Sequence, residues 1–232
     1  RGVAIQLSPP FGDYQGTTLY EMTMGSNTDG DLLTFQYYDA SADSVLNISE
    51  TYAFATNDQL GDMLDPWELN ILTTVDLSIE LIAGYNWISF NVVPEDASLS
   101  GILESIGDNA LFIASQSDGV SNYYGGDYGW YGTLAMLEPT QMYKLEMAEA
   151  ATLTITGVPV NVASSPISLI AGWNWIGYLP QNPGALDVAL ESVADNSLFI
   201  ASQSDGISNN YGDYGWYGTL ATLEPGKGYL LE

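Results

Sequence analysis

The chain has 232 residues, enough for one to three domains with cores of their own. Its 29 acidic residues against 3 basic ones give a net charge of −26, which excludes nucleic acid and anionic lipid as partners because both are bound through basic side chains. The absence of cysteine and histidine excludes disulfides, Cys/His metal sites and the usual Ser–His or Cys–His catalytic pairs.

The first 76 residues predict a small β-sandwich. Short apolar runs alternate with turns rich in Gly, Pro, Asn and Asp. Strands are predicted at residues 2–7, 18–24, 32–38, 46–55 and 67–72. The segment at 2–7 starts as a strand with nothing before it, so we expect this domain to lack its opening strand.

Residues 81–145 are repeated at residues 169–231. The most similar stretches read LFIASQSDGVSNYYGGDYGWYGTLAMLEP from Leu111 and LFIASQSDGISNNYGDYGWYGTLATLEP from Leu198. After one gap they differ only at Val120/Ile207, Tyr123/Asn210 and Met136/Thr222. A duplicated module favours an array or an assembly over an enzyme.

Each repeat predicts the same plan of strands around one short amphipathic helix. Apolar residues spaced i, i+3, i+4 and i+7 place the helices near 99–106 and 186–193. We therefore predict a mainly β fold with α+β repeats, in which an N-terminal β-sandwich precedes two tandem β-rich repeats with one short helix each. The predicted domains are residues 1–76, 77–164 and 165–232, and we expect the two repeats to superpose closely.

Two aromatic loops are the first candidate binding feature. Exposed aromatic rings beside Asn and Asp can stack on sugar rings, whereas the alternative is that Trp130 and Trp216 fill the core and the tyrosines cover it. Trp87 and Trp175 lie in strands and are predicted to be core. The candidate glycan-contacting residues are Tyr123, Tyr124, Tyr128, Tyr131, Tyr211, Tyr214 and Tyr217.

Carboxylates give weaker candidates. Asn27, Asp29 and Asp31 place oxygens at alternate positions, as in the start of a Ca²⁺ loop, but the later Gly and the closing Glu of an EF-hand are missing and a hairpin turn is the preferred explanation. Asn47 begins an N-x-[ST] sequon and is a candidate glycosylation site. No cofactor is required by these patterns, and Ca²⁺ is the one metal they suggest. Carboxylate pairs for glycoside hydrolysis are recurrent but resemble turn formers and loop charges: Asp118/Asp205, Asp127/Asp213 and Glu138/Glu224.

The successive motifs G-[WY]-N-W-I-[SG]-[FY], S-Q-S-D-G, Y-G-W-Y-G-T-L and L-E-P-G-K-G-Y resemble a repeat of secreted multidomain surface proteins of Bacteroidetes-like bacteria. Residues 1–76 resemble the β-domain that precedes such repeats, through the RGVA and LTFQYYD segments. The first copy departs from the pattern at residues 139–143, which lack the glycines of 225–229. The resemblance implies an exported surface or matrix component with no enzymatic activity.

Together these features predict a non-enzymatic extracellular structural protein, a subunit or segment of a filament, sheath or adhesin. The alternative is a carbohydrate-binding surface module. The expected partners are copies of the chain itself, head to tail, with surface glycans as a second class and no membrane insertion. Strand addition between copies would place the assembly interface at Arg1, Gly2, Val3, Ala4, Tyr229, Leu230 and Leu231.

Overall fold

The computed structural model describes residues 2–232, apart from the side chain of residue 127. The chain forms two compact units: unit 1 ends at Thr73 and unit 2 runs from Thr74 to Glu232. The first predicted domain boundary lies three residues beyond this division, whereas both repeats belong to unit 2. Antiparallel strands dominate both units, which confirms the predicted mainly β fold.

Unit 1 contains two two-stranded antiparallel sheets. Strand β1 (Ala4–Leu7) pairs with β2 (Leu19–Met22), and β3 (Leu32–Asp39) pairs with β4 (Ser44–Ala53). These four strands match four of the five predicted strands.

The fifth predicted strand, at 67–72, is wrong. This segment touches β4 through one isolated bridge, between Ile48 and Ile71. The backbone N–H of Asn70 donates to the Glu50 carboxylate at 2.7 Å, and the Asn70 side chain donates to the same group at 2.9 Å. The two hydrogen bonds lower the pKa of Glu50 to about 2. The Glu50 side chain thus accepts a hydrogen bond from a backbone N–H that a regular strand would have donated to a neighbouring strand.

Unit 1 has almost no apolar core. Among its described residues, Phe35 is the one large apolar side chain that is fully buried, with the edge of its ring against Trp67 at 5.5 Å. The exposed large apolar side chains are Val3, Ile5, Phe11, Tyr14, Tyr20, Leu32, Tyr37, Tyr38, Val45, Met63, Leu64, Trp67 and Ile71.

The first repeat in unit 2 is built from two sheets around one core. Its five-stranded sheet has the order β10-β9-β8-β11-β6, and its three-stranded sheet has the order β5-β12-β7. The strands are β5 (Val75–Leu81), β6 (Gly84–Ile88), β7 (Val92–Val93), β8 (Ala110–Ala114), β9 (Val120–Tyr123), β10 (Trp130–Gly132), β11 (Tyr143–Met147) and β12 (Ala151–Pro159).

The second repeat forms a five-stranded sheet with the same topology, in the order β13-β19-β15-β16-β17. A small sheet of β14 and β18 lies beside it. Its strands are β13 (Asn174–Ile176), β14 (Gly184–Ala185), β15 (Phe199–Ser202), β16 (Ile207–Asn210), β17 (Trp216–Gly218), β18 (Thr222–Leu223) and β19 (Tyr229–Leu231).

The predicted helices form where the apolar spacing placed them, but each is shorter than expected. Helix α1 (Leu99–Ile102) and helix α2 (Leu186–Ala189) are single α-turns. Each continues as a 3₁₀ helix, at Glu104–Asn109 and Glu191–Asn196. Ser98 begins the first helix, with its hydroxyl accepting a hydrogen bond from the Gly101 N–H at 3.1 Å. Further short 3₁₀ turns are Gly126–Tyr128, Val162–Ser164 and Gly212–Tyr214.

Each repeat has its own apolar core, and the two cores differ in size. Nineteen buried residues form the first and nine the second. Part of the difference arises because β5 and β12 cover the first core with Leu77, Ile79, Leu153 and Ile155, and the second repeat forms no counterpart of these two strands within the described residues.

Candidate functional site

The aromatic loops expose the same three tyrosines in each repeat. They are Tyr124, Tyr128 and Tyr131 in the first repeat and Tyr211, Tyr214 and Tyr217 in the second, with 60–79% of each side chain exposed. In each loop the first and third rings meet edge to face, at centroid distances of 6.2 and 6.0 Å. These tyrosines therefore do not cover the cores.

The other aromatic residues of the loops have structural roles. Trp130 and Trp216 pack against the cores of their repeats, as the alternative interpretation of the loops predicted. The Tyr123 ring packs against the Trp130 ring at a centroid distance of 5.3 Å, tilted by 52°. The Tyr123 hydroxyl donates a hydrogen bond to Asp108 at 2.6 Å, and this interaction raises the pKa of Tyr123. Tyr123 is thus held against its own repeat, unlike the exposed three.

A row of five side chains crosses the outer face of the first five-stranded sheet. Residues directly opposite each other on paired antiparallel strands point to the same face, so the register defines the row. Its members, one on each of β10, β9, β8, β11 and β6, are Tyr131, Asn122, Phe112, Glu146 and Tyr85, hereafter outer row 1. The adjacent residues Ile113 and Leu145 point to the core and are fully buried.

The second repeat carries the same row. Tyr217, Asn209 and Phe199 are register partners, and Phe199 exchanges two backbone hydrogen bonds with Glu232, at 2.9 and 3.3 Å. Trp173 completes the row one residue before β13. Outer row 2 is therefore Tyr217, Asn209, Phe199, Glu232 and Trp173. Both rows read aromatic, amide, aromatic, carboxylate, aromatic.

The last aromatic residue of each row leans toward the central one. The rings of Tyr85 and Phe112 meet edge to face at 6.5 Å, and those of Trp173 and Phe199 do so at 5.5 Å. The negative charge of Glu146 raises the pKa of Tyr85, with smaller contributions from partial burial and hydrogen bonding. Each row is thus a contiguous surface in which rings and hydrogen-bonding groups alternate.

The two repeats are joined to each other by reciprocal backbone hydrogen bonds. The N–H of Ser89 donates to Gly226 at 3.1 Å, and the equivalent N–H of Gly177 donates to Thr140 at 3.1 Å. The N–H of Gly228 donates to Trp87 at 3.1 Å, and that of Met142 donates to Trp175 at 3.3 Å. Strands β6 and β13 therefore each pair along their outer edges with a segment of the other repeat, and the junction has approximate two-fold symmetry.

The glutamine of each SQSDG segment extends this junction. The Gln203 side chain accepts from the Trp87 N–H at 2.6 Å and donates to the Tyr85 carbonyl at 2.5 Å. Gln116 makes the equivalent bonds to the Trp175 N–H at 2.7 Å and to the Trp173 carbonyl at 2.6 Å. Each glutamine thus positions the strand that carries one end of the other repeat's outer row.

Trp87 and Trp175 meet at this junction instead of lying inside a core. The ammonium group of Lys144 lies 5.3 Å from the Trp87 ring and 4.2 Å from the Trp175 ring, which is cation–π geometry. The prediction that both tryptophans are core residues is therefore wrong. Lys144 thus contacts one aromatic ring from each repeat where the two repeats meet.

The predicted C-terminal assembly edge is already occupied within the chain. Strand β19 pairs with β13 on one side and with β15 on the other, and Tyr229 and Leu231 are buried. Of the N-terminal residues, Arg1 lies outside the described residues. Gly2, Val3 and Ala4 are exposed and border the hairpin of β1 and β2.

The repeated aspartates of the SQSDG segments support the junction loops. Asp205 forms an ion pair with Lys227 at 2.9 Å, and Lys227 also pairs with Glu224 at 2.8 Å. In the first repeat Gln141 takes the place of Lys227 and donates to Asp118 at 2.7 Å. Burial alone would raise the pKa of Asp205, but hydrogen bonds from Lys227 and Ser202 lower it overall.

The remaining carboxylate candidates are engaged in turns. Asp29 accepts two hydrogen bonds from Thr56, at 2.6 and 3.0 Å, whereas Asp31 accepts one from Ser26 at 2.5 Å. Among the described residues no three acidic side chains group closely enough to hold a metal ion. Asn47 is exposed on β4, where its side chain accepts a hydrogen bond from Gln36 at 3.1 Å. The side chain of Asp127 lies outside the described residues.

Comparisons with known proteins give no further guide. No family model matches the chain, and neither the curated proteins nor the solved structures include one that is significantly similar to it. In the described part of the chain, none of the helices has the length and apolar character needed to cross a bilayer.

Proposed function

We propose that the protein is a non-enzymatic extracellular structural protein, a subunit or segment of a filament, sheath or adhesin. Its copies associate through β-rich surfaces, and its role is mechanical. The observation that carries this proposal is the apolar surface of unit 1, whose two small sheets bury a single large apolar side chain among the described residues. An extracellular location is favoured by the resemblance to exported surface proteins.

The argument starts from the stability of small sheets. A two-stranded sheet is marginally stable in water unless further strands or a packed face support it. Unit 1 has two such sheets, and each strand has a paired strand on one side only, although β4 also bonds to residues 70–72 through the bridge at Ile71. Contact with another β-surface would bury the exposed apolar residues and supply partners for the open edges.

Strand β1 is the segment of unit 1 best suited to that contact. Ile5 on this strand is 66% exposed, and Val3, one residue before the strand, is 82% exposed. Beside them lies an open groove of about 630 Å³ lined by Gly2, Val3, Ile5, Glu21 and Thr23. We therefore assign the contact between copies to residues 2–7 and their neighbours on β2. The second contact that the sequence predicts, at residues 229–231, is not available to another copy because β19 is paired on both sides.

The two repeats of unit 2 provide a precedent within the same chain. Modules of one sequence already associate there along strand edges through backbone hydrogen bonds in both directions. A chain whose modules join in this way is suited to a structural role, since edge pairing is available wherever a strand is left open.

Light scattering and negative-stain electron microscopy of the full chain over a range of concentrations test the proposal. We expect self-association that increases with concentration, and we expect the Ile5→Lys variant to reduce it because it places a charge on the contact. Val188→Lys is the matched control, since Val188 is 74% exposed in unit 2 and outside the proposed contact. A wild-type chain that stays monomeric at every concentration, in low and in high salt, contradicts the proposal.

A further inference from the structure

We infer that each outer row binds a neutral glycan chain that lies across the five strands of its sheet. The inference rests on the two rows and is independent of the proposed structural role. Unlike the tyrosine loops considered from sequence, these rows run across whole sheets and include residues that are distant along the chain: Tyr85, Phe112, Asn122, Glu146 and Tyr131 in repeat 1, and Trp173, Phe199, Asn209, Glu232 and Tyr217 in repeat 2.

The composition of the rows matches the chemistry of a sugar. One face of a pyranose ring is made of C–H groups and packs on an aromatic ring, whereas its hydroxyls need donors and acceptors at the rim. Phe112 provides the aromatic ring, and Asn122 and Glu146 on either side of it provide the hydrogen-bonding groups. In the second repeat Phe199 lies in the same way between Asn209 and Glu232. Aromatic residues recur on every second strand, with backbone positions roughly 10 Å apart, and the rings at the inner end of each row lean together to centroid distances of 6.5 and 5.5 Å.

The rows have the exposure that a binding surface requires. Tyr131 and Tyr85 are 66% and 51% exposed, and their counterparts Tyr217 and Trp173 are 60% and 45% exposed. The phenylalanine and the glutamate at the centre of each row are half-buried, and each phenylalanine is held by the strands on both sides of it. Rings fixed on a sheet lose little freedom when they bind a ligand, and that lowers the cost of association.

Charge decides which glycan suits the rows. Each has a carboxylate near its centre, and no row residue is basic, so an acidic polysaccharide would be repelled. Lys144 lies on the same face of the sheet but is engaged with Trp87 and Trp175. A neutral chain escapes this repulsion and can donate hydroxyl hydrogen bonds to Glu146 and Glu232.

The duplication favours a polymer over a small sugar. The two rows have the same sequence of residue types, and the hydrogen bonds of the junction between the repeats fix their positions relative to each other. A polysaccharide presents its repeating unit many times, so both rows can bind the same glycan molecule. The second row then binds intramolecularly, and this raises the apparent affinity above that of a single row.

Native affinity electrophoresis of the full chain provides the test, since a net charge of −26 gives strong mobility toward the anode. The probes are soluble neutral polysaccharides cast in the gel: hydroxyethyl cellulose, xylan, glucomannan, laminarin and dextran. We expect at least one to retard the wild-type chain and the Tyr131→Ala/Tyr217→Ala variant to lose roughly tenfold or more in affinity for it. Asn122→Ala/Asn209→Ala is the second variant, because it removes hydrogen bonds and leaves the rings in place.

Tyr128→Ala/Tyr214→Ala is the matched control. These tyrosines are 77% and 79% exposed in the same loops but lie outside the rows, so their loss should leave the retardation unchanged. Thermal melts of every variant establish that it is folded. Failure of all five polysaccharides to retard the wild type overturns the inference, as does an equal loss of retardation in the control.

Sedimentation of the same variants gives a second measurement. If the row variants change the oligomeric state and leave the retardation unchanged, the rows are contacts between protein chains and the inference is overturned.

Discussion

Gly228 and Met142 occupy equivalent positions in the two repeats and face each other across the junction. A Cβ built on Gly228 would lie 2.1 Å from Cγ of Met142 and 3.0 Å from the carbonyl oxygen of Ile88. Met142 is completely buried. Residues 139–143 lack the glycines of residues 225–229. As a result, the large Met142 side chain of the first repeat fills the space that Gly228 leaves in the second.

We predict that Gly228→Ala destabilises unit 2 by about 1–3 kcal/mol, because it overpacks the junction. Met142→Ala alone should cost about 2–5 kcal/mol through the cavity that it leaves. The double variant should cost clearly less than the sum of the two, since the smaller residue 142 makes room for the new methyl group. Denaturant unfolding measures all three free energies.

Gly25→Ala is the control for the general cost of replacing a glycine. Among the described residues, no atom outside its two chain neighbours lies within 4 Å of a Cβ at that position, and the backbone there does not require glycine. Its substitution should change the stability by less than ~0.5 kcal/mol. Strict additivity of Gly228→Ala and Met142→Ala would show that the two residues do not contact each other.

At the scale of elements, the edges of β6 and β13 are closed by glutamines from the opposite repeat. The Trp87 N–H depends on Gln203, and the Trp175 N–H depends on Gln116. Each glutamine therefore protects one tryptophan amide that is far away in sequence, and its removal should affect that amide alone.

We predict that Gln116→Ala accelerates hydrogen exchange of the Trp175 amide and leaves the Trp87 amide protected. Gln203→Ala should have the opposite effect. The lost hydrogen bond is worth about 1 kcal/mol, which corresponds to a roughly fivefold change in exchange rate when the amide opens locally. Amide exchange followed by NMR measures both sites in one sample. Gln59→Ala, in unit 1, is the control, and equal effects of either variant on both amides would contradict this pairing.

Across the chain, the repulsion between carboxylates is not balanced by a comparable number of positive charges. Only 3 cations accompany 29 acidic residues, and both ion pairs among the described residues involve Lys227. Lys144 is engaged with two indole rings. The carboxylates therefore repel one another with little local compensation, and dissolved salt can screen that repulsion.

We predict that NaCl raises the melting temperature by at least about 3 °C, equivalent to roughly 1 kcal/mol for a protein of this size. Most of the rise should occur below ~0.2 M, because the Debye length is then already near 8 Å and further screening adds little. Differential scanning calorimetry gives the curve, and CaCl₂ at equal ionic strength distinguishes specific Ca²⁺ binding from screening. A melting temperature that is flat below ~0.2 M would contradict the role assigned to repulsion.

Features that depend on neighbouring residues could be predicted before the fold was known. The apolar spacing of Leu99, Ile102, Leu103 and Ile106 predicted a helix, and all four are buried there. The repeated segments predicted two modules, and these have the same strand order. Such features follow from local periodicity and from identity between segments, because equal sequences meet equal local energetics.

The tertiary structure alone decided what depends on pairing between distant segments. It closed β19 on both sides, placed Trp87 and Trp175 at a junction, and aligned Tyr85 with Phe112 and Tyr131 in one row. Alternation along a strand tells which residues share a face but not which strand lies beside it. The register that assembles a row from five strands is fixed only when the backbone hydrogen bonds form.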